Sequence, residues 1–305
     1  MLLRTLALLS VVVATVHAQE AAAAKPFRIH IIGASVSGGF EDGPLMGAKE
    51  QGDSVPLLTV LKGWCGEHAR ASTHGTLEMM ALFTKPLEIG TREVEQAKRK
   101  QPDAVVAVDF LFWFAYGYVN GQDEAAARAA LLEQGLDLLA GFEVPLLIGD
   151  LPDMQGADRR MLSPRQIPSP EVLQALNARI AAWAQPRANV RVAPLAQLVR
   201  QMKVDGVVLP LSAGEKRTRP GALQQGDRLH ATRLGMAFLG FSIQPLLRAL
   251  LPAGNPLHEQ QWTIEQFVAA VGAEGELEAL LPVADKVGDP DAAGKSAPAG
   301  REGGR

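Results

Sequence analysis

Three residue types at opposite ends of the chain stand in surroundings that suit acyl-transfer chemistry. Ser35 lies in Ile29-His-Ile-Ile-Gly33-Ala34-Ser35-Val36-Ser37-Gly38-Gly39, a β-type apolar run that enters a glycine-bracketed turn. A serine on such a turn is exposed at a sheet edge. A helix that follows it aims backbone N–H groups and the positive end of its dipole at the site. Those groups are what a developing oxyanion requires. The same segment also reads as an ordinary strand-to-helix turn with a capping serine. A third reading is a dinucleotide site, because Gly33-x-Ser35-x-x-Gly38 is one substitution from G-x-G-x-x-G. The substituted position is where the backbone must approach the pyrophosphate closely. About 20 residues on, where an acid would hold the ribose, Pro56 to Trp64 has helical spacing and no strand ending in Asp or Glu.

Asp227 and His230 form the second constellation, in Gly226-Asp227-Arg228-Leu229-His230-Ala231-Thr232. Side chains three apart on a helical turn are neighbours. Asp227 can therefore hold one imidazole nitrogen of His230 while the other faces a hydroxyl. A serine nucleophile needs a base held in this way, with a carboxylate fixing the tautomer and stabilising the imidazolium. Taken alone, the pair also reads as an Asp capping a helix beside an incidental His.

Other chemistry-bearing residues have blander readings. Asp109 and Trp113 sit at a strand end and are candidate pocket residues. The alternative has Phe110, Phe112 and Phe114 filling core while Asp109 caps a turn. His30 lies mid-strand among apolar neighbours, as a core histidine does. Asp150 and Asp153 flank Pro152 without a His or third acid to complete a metal site. Cys65 is the single cysteine, so no intramolecular disulfide is expected. It ends an apolar helical pattern, which suits a buried structural thiol.

The elements that must position these residues alternate short β-branched runs with longer helical ones. Strands are expected at Phe27–Ile32, Ala104–Val108, Val144–Ile148 and Val190–Val192. Helices are expected over Val55–Trp64, Leu87–Lys100, Asp123–Leu139, Pro170–Trp183, Pro194–Met202 and Thr232–Leu251, with two short ones over Thr263–Val271 and Glu274–Leu281. Ser212 to Gly226, rich in Gly, Pro and charge, reads as a loop. Strands alternating with helices imply an α/β fold with a parallel sheet covered on both sides. Ligands of such sheets bind at the carboxyl ends of the strands, where Ser35, Asp109 and Asp150 all fall.

The ends of the chain read differently from its middle. Residues 1–18 have Arg4, an apolar run from Leu6 to Val16, and Val16-His17-Ala18 as a cleavage site. The run is shorter than the roughly 20 apolar residues of a membrane span, so a cleaved signal peptide is expected. Residues 19–26 read as a short tether, 27–284 as one domain, and 285–305 as a disordered tail rich in Gly, Ala, Pro and charge. With a net charge of −3 and no basic cluster interleaved with aromatics, nucleic acid is excluded as a partner.

The Gly-x-Ser turn after the first strand, the late Asp-x-x-His and the intervening Pro102-Asp103-Ala-Val-Val-Ala-Val108 strand resemble the SGNH (GDSL-like) hydrolase superfamily in order and separation. The resemblance implies a three-layer α/β/α, flavodoxin-like parallel sheet. It also implies a Ser35–His230–Asp227 triad acting on carboxylic esters with no cofactor; the signal peptide implies a secreted or periplasmic location, and the lack of a ligand cluster implies no metal. Small-molecule, glycan and lipid esters stay open as substrates. The family's second-block glycine, a backbone oxyanion donor, is matched by Gly75, with His74 beside it. Ala34 stands where the family has Asp, and the third block runs into Asp109-Phe-Leu-Phe-Trp113 without the family's Asn. Asn120 lies beyond Tyr118, too far along to replace it. That gap keeps a noncatalytic SGNH-like module open as a second reading.

Overall fold

The computed structural model describes residues 26–40, 54–73, 81–82, 84–119 and 123–282. The signal peptide, most of the tether, the tail, and His74, Gly75 and Asn120 lie outside the described residues.

Five parallel strands form the central sheet: β1 (Phe27–Ile31), β2 (Ala69–Thr73), β3 (Ala104–Ala107), β4 (Leu146–Gly149) and β5 (Val190–Ala193), in the order β2-β1-β3-β4-β5. β3 and β4 carry no polar side chain because both faces are covered. The period of two splits the strands between two cores. Ile29, Ile31, Val106 and Leu147 face one side, while Val105, Ala107, Leu146 and Ile148 face the other.

The first core packs α2 (Leu57–Cys65) and two later helices, α8 (Arg233–Leu250) and α9 (Ile264–Val271), against the sheet. The second packs α3 (Pro86–Arg99), α5 (Glu124–Ala140) and α6 (Pro170–Ala184). The fold is thus α/β in three layers, as the alternation of elements implied. The shorter helices are α1 (Ser35–Gly38), α4 (Phe112–Tyr116), α7 (Leu195–Arg200) and α10 (Glu274–Glu278). Among the described residues no helix is long and apolar enough to cross a membrane.

Of the strands that depart from the sequence expectation, two run against their own composition. β2 is Ala-Arg-Ala-Ser-Thr, poor in β-formers. Parallel pairing with β1, from Phe27↔Ala69 to Ile31↔Thr73, holds it extended. The expected loop from Ser212 contains β7 (Gly214–Arg217), antiparallel to β6 (Val208–Leu211). Here backbone pairing across a tight turn outweighs side chains that have no strand preference of their own.

Cys65 closes α2 fully buried in the first core, and burial pushes its thiol up to about 12. The thiolate is the reactive species, so native protein should resist iodoacetamide at pH 8 and take up one equivalent once unfolded in guanidinium. Mass spectrometry reads both states.

Candidate active site

The chain leaves β1 with the Ile32 N–H still donating to the Val106 carbonyl at 3.0 Å. It then turns at Gly33, whose φ is 151°. A Cβ at Gly33 would lie 2.1 Å from Asp109 Oδ1 and 2.6 Å from Ser37 Oγ, so only glycine fits there. The Gly33 N–H donates to Glu93 Oε2 at 3.1 Å. Glu93 is a carboxylate on the buried stripe of α3 beside Ile89, Gly90 and Ala97. Ser35, half-buried, opens α1.

What fixes this turn is Asp109, just beyond β3. Its Oδ2 accepts from the backbone N–H of Val36 at 2.8 Å and of Ser37 at 3.1 Å, and its Oδ1 from the Ser37 hydroxyl at 2.5 Å. Burial pushes the Asp109 carboxyl up, and these donors, with the Ala34 N–H, work against that rise. Every partner is a donor, which matches an ionised, acceptor-only carboxylate.

The opposite wall is the loop before α8. Asp227 Oδ1 accepts from the N–H of Leu229 at 2.9 Å and of His230 at 3.0 Å. Arg228, at φ 56°, makes the left-handed step that lets both bonds form. The His230 Nδ1–H donates to Asp227 Oδ2 at 2.5 Å, and Ser35 Oγ, 195 residues away, lies 2.8 Å from His230 Nε2. An ionised Asp227 only accepts, so the proton sits on Nδ1 and Nε2 is left to accept from the Ser35 hydroxyl. Burial pushes the Asp227 carboxyl up, but the hydrogen bond and charge of His230, with the two backbone donors, bring it below the usual carboxylate range.

Two further residues tie the walls together. The Phe40 ring packs on the His230 imidazole with centroids 4.3 Å apart. Gln225, buried, donates from Nε2 to the carbonyls of both Phe40 and Ala231 at 2.8 Å. Its N–H donates to the His230 carbonyl at 2.8 Å.

A cavity of about 70 Å³ begins at Ser35 and His230. It runs between the ends of β3 and β4, α7 and α8. Its walls include Leu151, Leu198, Met202, Phe238 and Leu239, and Phe112 lines it where Trp113 had been a candidate. Trp113 lies in the second core instead, edge-on to Phe112.

The structure therefore brings Ser35, Asp227 and His230 together in one hydrogen-bonded line. It places Asp109 beneath them as an acceptor, not as an oxyanion donor. His30 is a core residue, its Nδ1 2.9 Å from Ser72 Oγ. Asp150 accepts from the N–H of Ala196 at 2.7 Å at the start of α7, and Asp153 accepts from the Gln155 N–H at 2.8 Å. No group of three metal-ligating side chains occurs among the described residues. The amides at the start of α1, where a pyrophosphate would have to sit, already hold the Asp109 carboxylate, so the dinucleotide reading loses its binding site.

Sequence reasoning missed Gln225 and Phe40, which carry no local signal. Glu93 had one, as a charged residue on the apolar stripe of an amphipathic helix.

No protein-family model matches the sequence, and no curated protein does. Among solved structures, a gut microbial diltiazem-metabolizing enzyme matches with a TM-score of 0.45 and 9% identity, over 74% of this chain and 47% of that one. The chain spans about half the length of that protein, and the reading of the site rests on its own geometry.

Two outcomes follow. Asp109→Ala strands several buried donors, each costing about 1–3 kcal/mol. It should lower unfolding free energy by at least about 3 kcal/mol in urea titration, with Asp109→Asn losing less because one acceptor oxygen remains. Asp227, held below its ordinary value of 3.8, contributes stability that is fully present above that value and lost as pH falls through the lower folded one. The stability gap between wild type and Asp227→Asn should stay level from about pH 7 to 5 and narrow below about pH 4.

Proposed function

We propose that the protein is an SGNH-type serine hydrolase acting on carboxylic esters, exported to the periplasm or beyond the cell. The observation that carries this reading is the continuous line from the Asp227 carboxylate through the His230 ring to Ser35 Oγ, with contacts of 2.5 and 2.8 Å. In this reading Ser35 Oγ attacks the acyl carbonyl carbon as its proton passes to His230 Nε2, and Asp227 stabilises the imidazolium. The alcohol leaves with that proton. Water then adds to the acyl carbon with His230 as base, the ester bond to Ser35 breaks, and the acid departs. The backbone N–H groups of Ser35 and Gly75 are the donors assigned to the oxyanion. The reaction needs no cofactor.

One observation favours the second reading, a noncatalytic module that keeps the fold. The family's Asn is absent, and the nearby carboxylate of Asp109 sets a negative charge close to where the oxyanion forms. Loss of one oxyanion donor costs about 10²–10³ in turnover, which leaves a slow enzyme, not an inert one.

Labelling with a fluorophosphonate probe, read by mass spectrometry, separates the two. Wild type should be modified at Ser35, and Ser35→Ala should lose both labelling and turnover of p-nitrophenyl butanoate. Asp227→Asn should reduce kcat by about 10⁴, the scale set by loss of the correct tautomer. Equal rates in wild type and Ser35→Ala would end the reading.

A further inference from the structure

The cavity beside Ser35 has walls whose chemistry is one-sided. α7 and the turn after it contribute Leu195, Leu198, Val199 and Met202, and α8 contributes Phe238 and Leu239. Nearly all of this surface is closed off from solvent. The polar groups that reach it are Ser35, His230 and the carboxylates of Asp109 and Asp150. The first two face each other, and both carboxylates accept from backbone N–H groups. Among the described residues no lysine or arginine lines it.

Resting on the serine-hydrolase reading, we infer that this cavity receives the acyl half of the substrate as an uncharged, apolar, straight chain of medium length. Three arguments converge. A sugar or other hydroxylated group inside would bury hydroxyls without partners, at a penalty that selects against it. An anionic acyl group would face Asp109 and Asp150 with no cation to offset them. The acyl half, moreover, is the part that must stay. It remains bonded to Ser35 Oγ after the alcohol has gone, and a cavity lined by buried apolar side chains retains such a group. The polar and bulky part of the substrate is then the alcohol, which departs through the open mouth with the proton from His230.

Leu195 and Met202 both line the cavity and stand about 10 Å apart along the helical repeat, the length of a chain of roughly eight carbons. Met202, on the π-helical turn Gln201–Asp205 after α7, is the last lining residue along that stretch, so changing its size tests the length.

A p-nitrophenyl ester series from acetate through butanoate and octanoate to hexadecanoate tests this. kcat/KM should climb about threefold to fourfold per added methylene up to octanoate and fall at hexadecanoate. Met202→Trp should move the optimum to butanoate, and Met202→Ala should move it beyond octanoate. Turnover that depends on Ser35 but is best with acetate, or flat along the series, would overturn the acyl assignment and leave the serine hydrolase standing. Calorimetry on Ser35→Ala with octanamide and acetamide judges the cavity without turnover. Binding of octanamide alone, abolished by Met202→Trp, supports the assignment even if no ester is cleaved and the hydrolase reading falls. Failure of octanamide to bind sinks it.

Discussion

A single desolvated carboxylate holds this structure's functional end in shape. Asp109 leaves the central strand β3 and is driven into the interior, where a lone charge is costly. It persists because the first turn of α1 surrounds it with donors. The dependence runs both ways. Without those amides the acid has no solvation, and without the acid the backbone around Ser35 has buried N–H groups and no acceptor. β1 and β3 are already neighbours in the sheet, so the bond set converts strand pairing into a fixed position for a hydroxyl.

The partner wall is held to a matching tolerance by different means. The loop carrying Asp227 and His230 has no long regular element of its own. It is stiffened by the Asp227 side chain folding back on its backbone, by Gln225 bridging to Phe40, and by the Phe40 ring against the imidazole. Groups that must meet within about 0.5 Å need such support from residues behind them. Gln225 is informative here because it bonds both halves of the line at once.

Much of the scaffold was legible because burial writes itself into strand composition. Runs such as Ala104–Val108 have no polar position, and only a sheet covered on both faces needs that. The Ser35 turn and Asp227/His230 were legible for a related reason, since glycines and a three-residue spacing are local requirements. What stayed hidden depends on partners distant in sequence. β2 and β7 are strands by virtue of their neighbours. Trp113 and Phe112 differ only in which side of a short helix reaches the cavity, and Asp109 showed itself as a site residue without showing whether it donates or accepts. Gln225 could be any loop glutamine until Phe40 is brought beside it.

The 195 residues between Ser35 and His230 also set an order in time. At ordinary rates of translation the serine emerges roughly 10 to 40 seconds before its histidine. In that interval the turn can form against β3, but the hydroxyl has nothing to take its proton. A nascent chain, or one truncated before Gly226, therefore has Ser35 without the imidazole that faces it. The hydrogen-bonded line comes into being only when the last quarter of the domain docks, so it arrives with completion of the fold.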